Sequence, residues 1–318
     1  MTVPGGAASL PSPRPRRHHR PLSPLRSRLE YEAVSVLLAG LRALPEARAR
    51  ELMAGIVERA SRLSPRLWRI GTENLRRAFP ERDAAWCEAT LGASFRNLGR
   101  LAGEVAHLDS LRPGNIRERI GFLSPEDEER WQQRMNDSRG TVIATGHFGN
   151  WELFAQAQGL LGHPIHIVHR PLKNPLLDDL INRLRSRAGT GVIYKHAAAR
   201  EMLRLLRSGH LVAIPIDQHA PGASGIAVPF FGRPASTTPG LARLAQLTGA
   251  PIHVAVLVRC PDMSRHSIMV GPAIEVTRTR DRDADLVATM TRVNAAFEAV
   301  VRAYPEQWLW MHRRWRLD

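Results

Sequence analysis

From residue 140 onward, short apolar runs alternate with longer runs of helical periodicity, and this alternation constrains the fold most. Strands are expected at 141–146, 164–169, 191–195, 211–216, 251–259 and 266–271. Helices are expected at 151–161, 175–188, 197–208, 238–248 and 283–303. Strands that alternate with helices imply βαβ units, and so an α/β fold with a central, mostly parallel sheet flanked by helices. Ligands in such sheets bind beyond the carboxyl ends of the strands. Function is therefore sought in the residues that follow each strand.

The chain before this region is different. Residues 1–28 are rich in Pro, Ser and Arg and carry no acid, which reads as a disordered basic tail. Arg14, Arg16, Arg17, Arg20, Arg26 and Arg28 make it either a tether for anionic headgroups or a solvated extension. Residues 29–110 form an N-terminal helical region punctuated by Pro45, Pro65 and Pro80, and residues 111–318 form the α/β core. The most apolar stretch, Ala33 to Leu44, is interrupted by Arg42 and is too short to span a bilayer. It lacks a small-residue cleavage site, so a signal peptide is not expected, and an interfacial or buried helix fits it better.

The formal net charge is +15 and the pI about 11.3, with Arg far outnumbering Lys. Such a charge favours polyanions: nucleic acid, an anionic membrane or an acidic protein. Cys87 and Cys260 stand far apart, without disulfide-framework or metal-ligand spacing. No Walker motif, dinucleotide glycine fingerprint or zinc-finger spacing occurs. His163, His166 and His169 do not share one face of a strand, which argues against a three-histidine metal site.

Three of the expected strand ends carry chemistry. After 141–146 comes His147-Phe148-Gly149-Asn150-Trp151-Glu152. Five positions along one helix would turn the two end side chains apart, so His147 belongs to the strand-to-helix turn and Glu152 to the first helical turn, reaching back. Gly146 and Gly149 supply the backbone freedom such a turn needs. A histidine held by a carboxylate is a general base near neutral pH. After the second strand, Arg170 can hold a phosphate or a developing oxyanion. After 211–216, Asp217 reads as a second partner for His147, as a substrate contact or as an Asp that caps a loop, with Gln218 beside it. The loop from Gly222 ends in Phe230-Phe231-Gly232, suited to lining an acyl groove or to covering the core. The C-terminal run Trp308-Leu309-Trp310-Met311-His312-Arg313-Arg314-Trp315 suits either a membrane interface or a core with Arg stacked on Trp.

In order along residues 70–316, several blocks resemble the lipid A late acyltransferase family. They are Asn74-Leu75 with Ala78-Phe79-Pro80-Glu81, His147 to Glu152, Arg170-Pro171 with Asn174-Pro175, and Asp217-Gln218. Val228-Pro229-Phe230-Phe231-Gly232, Pro305-Glu306-Gln307-Trp308 and His312-Arg313-Arg314-Trp315 complete the set. That family lies within the wider His-x4-Asp/Glu acyltransferase superfamily, which includes glycerolipid and mycobacterial mannoside acyltransferases. The resemblance implies a glycerolipid-acyltransferase-like fold and transfer of a fatty acyl chain from acyl carrier protein or acyl-CoA to a hydroxyl of a membrane lipid. His147 would be the base and Glu152 its orienting partner, and Arg170 would lie near the acceptor headgroup. Asp217 matches an acidic position that assists the histidine or contacts substrate. Asn150 and Gln218 join Arg170 and Asp217 as the candidate substrate-binding set. No metal or other cofactor is required and no nucleic acid is expected as a partner. The expected place is an anionic membrane surface, at the cytoplasmic face of the inner membrane, peripheral or monotopic. The competing expectations are a thioesterase or lipid esterase using the same dyad, and a non-enzymatic nucleic-acid binder. Typical members carry a longer apolar N-terminal helix than this chain does.

Overall fold

Prolines and short polar residues fix where the helices begin. In the computed structural model, which describes residues 22–194, 198–263 and 265–316, Ser23 caps α1 (Pro24–Arg42). Pro45 precedes α2 (Glu46–Ser61), Pro65 opens α3 (Pro65–Ala78), and Asp83 caps α4 (Ala84–Val105). The expected basic tail falls mostly outside the described residues, and its last part, from Pro24, belongs to α1. A short helix α5 (Ile116–Arg119), strand β1 (Ile120–Phe122) and helix α6 (Pro125–Asn136) lead into the alternating part.

There the order is β2 (Thr141–Thr145), α7 (Trp151–Leu160), β3 (Ile165–His169), α8 (Pro175–Arg187), β4 (Gly191–Tyr194), α9 (Ala198–Arg207) and β5 (Leu211–Pro215). A hairpin of β6 (Ile226–Phe230) and β7 (Arg233–Thr237) follows, then α10 (Gly240–Thr248), β8 (Ile252–Arg259), β9 (His266–Val270) and α11 (Arg282–Ala303). Seven strands form one sheet in the order β1-β9-β8-β2-β5-β3-β4. All neighbours are parallel except β8 and β9. The α/β architecture expected from the alternation, with an N-terminal helical region, is therefore the fold.

The strands are apolar on both faces because both faces are covered. Along β2, Val142 and Ala144 enter one core and Ile143 the other; along β5, Val212 and Ile214 enter the first and Leu211 and Ala213 the second. The first core takes in α10, α11 and the C-terminal tryptophans, while α7 supplies Leu153, Phe154, Ala155 and Ala157 to the second. Trp308, Trp310, Trp315 and Arg314 are buried, so the C-terminal run is core and not a membrane-facing belt. Phe230 and Phe231 are buried as well, and Trp315 donates its indole N–H to the Phe230 carbonyl at 3.0 Å. Their loop covers the core and presents no aromatic pair to a groove.

β2 and β5 are neighbours at the centre of the sheet, with Thr145 opposite Pro215 and the Ile216 N–H donating to the Thr145 carbonyl at 2.9 Å. This register sets the two loops that begin at Gly146 and Asp217 side by side at the carboxyl edge.

Candidate active site

His147 leaves β2 through a turn that only glycine can make. Gly149 has φ of +56°, and a Cβ there would lie 1.8 Å from the Leu257 carbonyl oxygen. A Cβ on Gly146 would lie 2.5 Å from the Phe297 ring and 2.9 Å from the Asp217 carboxyl carbon. The turn thereby brings the backbone of residue 147 against Asp217. The His147 backbone N–H donates to Asp217 Oδ2 at 2.7 Å, and His147 Nδ1 lies 3.0 Å from Asp217 Oδ1.

Asp217 is buried, with a side chain only 3% exposed, and Trp308 Nε1–H donates to its Oδ2 at 3.0 Å. Burial opposes its charge, but the His147 imidazole, the His147 N–H and the Trp308 N–H outweigh that cost and hold the carboxyl at about 2. Burial likewise pulls the His147 pKa down, and the Asp217 charge and hydrogen bond more than reverse it, so the net shift is upward. An ionised Asp217 fixes the tautomer: the proton sits on Nδ1 and Nε2 is left as the acceptor. The His147 side chain keeps 26% of its surface. Exposed Gln218 brings its amide nitrogen to 3.5 Å from Nε2, and the Trp151 ring stands edge-on at 5.2 Å. The geometry is that of an imidazole oriented through Nδ1 and left partly exposed.

Glu152 does not orient His147 by a hydrogen bond. Its two oxygens accept from Arg185 Nε at 2.9 Å and Nη2 at 2.6 Å, both partners being buried. Glu152 acts on His147 only as a nearby charge, which Arg185 counters. The expectation drawn from local spacing is corrected in this respect, because the partner comes from β5, 70 residues on.

Asn150 is completely buried and is not placed to meet a substrate. Its Oδ1 caps α7 by accepting from the Leu153 N–H at 2.9 Å, and its Nδ2 donates to Glu104 at 2.7 Å. Glu104 is in turn paired with Arg259 in full burial, and Arg259 Nε donates to Asn97 at 3.1 Å. Asn97 also reaches the Gly149 carbonyl at 3.2 Å, so α4 of the helical region underpins the turn.

Arg170 lies at the same carboxyl edge, one residue past β3, exposed and, among the described residues, without an ion pair. The neighbouring His169 is held by Asp178 at 2.7 Å, and Asp178 also accepts the Leu172 N–H at 2.8 Å, which fixes the loop that presents Arg170. β3 is separated from β2 by β5, so the base of Arg170 is two strand spacings, about 10 Å, from that of His147.

The C-terminal segment is the part of the site that spacing along the chain did not reveal. The Leu309 N–H donates to the His147 carbonyl at 3.2 Å, the Gly149 N–H to the Gln307 carbonyl at 2.9 Å, and the His219 N–H to His312 Nε2 at 2.9 Å. Asn74 of α3 donates to the carbonyls of Trp310 at 2.7 Å and His312 at 2.6 Å. Arg185, Glu104 and Arg259 were equally hidden, since each acts through a partner distant in sequence.

The family described as bacterial lipid A biosynthesis acyltransferase matches residues 22–317. The lipid A biosynthesis palmitoleoyltransferase of Escherichia coli K12 is 26% identical over 248 residues, 78% of each chain. The lauroyltransferase of the same organism is 27% identical over 269 residues, 83% of this chain and 84% of its own. A phosphatidylinositol mannoside acyltransferase of Mycolicibacterium smegmatis is 25% identical over 289 residues, 87% of this chain and 88% of its own. With the match running over nearly all of its length, this chain belongs to the bacterial lipid A biosynthesis acyltransferase family and is an acyltransferase.

Proposed function

We propose that the protein moves a fatty acyl chain from an acyl thioester, on acyl carrier protein or coenzyme A, to a hydroxyl of a lipid A precursor. The observation that carries this is His147, held at Nδ1 by a buried carboxylate while its side chain keeps 26% of its surface. Nε2 takes the proton of the acceptor hydroxyl as its oxygen attacks the thioester carbonyl. The tetrahedral oxyanion collapses, the C–S bond breaks, and the imidazolium returns its proton to the departing thiolate. Asp217 stays ionised and stabilises the imidazolium between the two transfers. The N–H groups of Trp151 and Glu152, in the first turn of α7 next to the His147 turn, are the dipoles offered to the oxyanion. Arg170, at about 10 Å, is better spaced for a phosphate of the acceptor. Gln218, exposed and 3.5 Å from His147 Nε2, contacts one of the two substrates.

The acceptor is a membrane lipid, and the outer face of α1 suits a bilayer surface. No helix of the described residues is long and apolar enough to cross a membrane. On α1, Leu25, Leu29 and Val36 fall within about 40° of one another at 100° per residue, and are 72%, 63% and 71% exposed. Asn174, in the loop that follows Arg170, donates to the Ser27 carbonyl at 2.9 Å, so this apolar stripe starts beside the acceptor end of the site. Arg170 and Lys173 add cations there, while Arg26 and Arg28 are paired with Glu30 and Glu32 along α1, which fits peripheral attachment to an anionic leaflet on the cytoplasmic side.

The test is mass spectrometry of the product formed by purified protein, acyl thioester and dispersed lipid A precursor. His147→Ala should lower transfer roughly 10²–10⁴-fold with the fold intact. Thioester cleavage that runs undiminished without the lipid would replace this reading with a hydrolase. Near-normal transfer by folded His147→Ala would remove the mechanism.

A further inference from the structure

We propose that Trp308 is a positioning residue for the reaction: its indole N–H pins the Asp217 carboxylate in the one orientation that holds His147 as a base. The proposal rests on the reading of His147 as that base.

A carboxylate at the end of a short side chain can rotate about its last bond. Two donors from different segments stop Asp217 from doing so. The His147 N–H and the Trp308 N–H both end on Oδ2, at 2.7 and 3.0 Å, which leaves Oδ1 for Nδ1 at 3.0 Å. The indole itself cannot follow a moving carboxylate. Trp308 is 2% exposed, stands edge-on to Trp310 at 4.6 Å and to Phe230 at 5.5 Å, and pairs through its backbone with Phe148. Ser94 of α4 donates to its carbonyl.

The other indoles of the segment show that this bond is not the ordinary way to satisfy a buried N–H. Trp310 donates to the Pro305 carbonyl at 2.6 Å and Trp315 to the Phe230 carbonyl at 3.0 Å, both neutral backbone acceptors. Only Trp308, of these three, spends its N–H on a charged group of the site. That bond also draws charge from Asp217, so losing it leaves more negative charge facing the imidazole.

Trp308→Phe removes the N–H and changes no charge around His147. Those charges come from Asp217 after β5, Glu152 on α7, Arg185 on α8 and His312 on the C-terminal segment, with His219 and Arg314 beyond them. Trp310→Phe is the matched control, since it removes a buried indole N–H from the same segment without touching Asp217. Trp308→Phe should lower kcat about 10-fold at neutral pH with little change in either KM. The acid limb of its pH–rate profile should move upward by roughly half a unit, and the His147 imidazole titration followed by NMR should move with it. Trp310→Phe should lose comparable thermal stability and leave both titrations in place. If Trp308→Phe does not fold, replacing Trp308 with benzothienylalanine keeps the shape and deletes only the donor, and the same shifts are expected. Titrations and kcat that match those of the Trp310→Phe control would overturn the proposal. The NMR titration separates the two readings: it reports on the Trp308–Asp217–His147 link even if His147→Ala proves His147 is not the base.

Discussion

The two halves of the carboxyl edge are built on opposite principles. At the β2/β5 half, the groups that hold His147 and its turn are committed: Asp217 takes three donors, Glu152 takes a bidentate arginine, and the N–H groups of residues 147, 148 and 149 each have an acceptor. At the β3 half, the loop is fixed through Asp178, yet the cation it carries, Arg170, stands in solvent and, among the described residues, has no ion-pair partner. A group that moves a proton gains from a fixed, water-poor setting, because orientation and charge are then supplied before the substrate arrives. A group that binds a charged headgroup gains from being left unpaired, because a prior partner would have to be displaced. Substitutions at the first half should therefore change kcat and pH dependence, and those at the second should change KM.

The sharpest test at the first half is Asp217→Asn. Its amide oxygen must accept from both the His147 and Trp308 N–H groups, which turns the NH₂ toward Nδ1. The imidazole then carries its proton on Nε2 and has no base to offer. A fall in kcat of roughly 10²–10⁴-fold is expected, with KM little changed. The sign of the pH effect follows from the shifts. Asp217 raises the His147 pKa above its ordinary value, so transfer by the native protein should rise with pH through that raised pKa, and the acid limb of the residual Asp217→Asn activity should lie at lower pH. The same pair contributes stability of two kinds. The part from Asp217 is present above its ordinary 3.8 and lost as pH falls toward about 2, and the part from His147 is lost as pH rises through its raised pKa. Retention of the native acid limb in Asp217→Asn would break the comparison at its centre.

Glu152→Gln should have a smaller catalytic effect and a larger structural one. It leaves the Arg185 guanidinium buried with half its pairing, and breaking one side of a buried pair costs about 3–5 kcal/mol. Chemical denaturation should report that loss. In the protein that remains folded, kcat should fall by less than in Asp217→Asn, and the acid limb should move down only slightly, since Glu152 adds to the His147 shift from a distance. Equal kinetic losses in the two variants would mean that Glu152 acts as directly as Asp217.

How far the sequence reveals this site depends on the distance over which each contact acts. β2, β3 and β5 are legible because an apolar run ending in a glycine or charged turn is a local pattern. The β6–β7 hairpin is not, since Pro229 lies opposite Pro234 and neither strand has alternating polarity to mark it. β1 is only three residues long, and α6 is so polar that it buries just Asp127, Trp131 and Arg134. His147 and Arg170 could be placed at one edge from local pattern alone. Which carboxylate holds His147 could not, because that depends on β5 lying beside β2. The nearer acid in sequence, Glu152, is the one the fold gives to Arg185. Buried Asn150 illustrates the same limit: its cap on α7 is local, but its bond to Glu104 spans 46 residues.

At the second half of the edge the expected effect is the smallest and the most specific. Arg170→Ala should raise the KM for a phosphorylated acceptor by roughly 10–150-fold, the range that a lost charged hydrogen bond implies, and should leave an unphosphorylated acceptor nearly unaffected. The structure gives two reasons to expect a change in KM and not in kcat. Arg170 is separated from the His147 strand by β5, about 10 Å at the strand ends, and among the described residues it bonds to no buried group. Arg170→Lys should recover only part of the loss, since an ammonium cannot make the two parallel bonds a guanidinium makes to phosphate. Initial rates with matched acceptors, with and without the phosphate, decide the matter. A kcat that falls equally for both would move Arg170 into the reaction centre, where it would stabilise the oxyanion, and the division between a committed half and an open half would no longer hold.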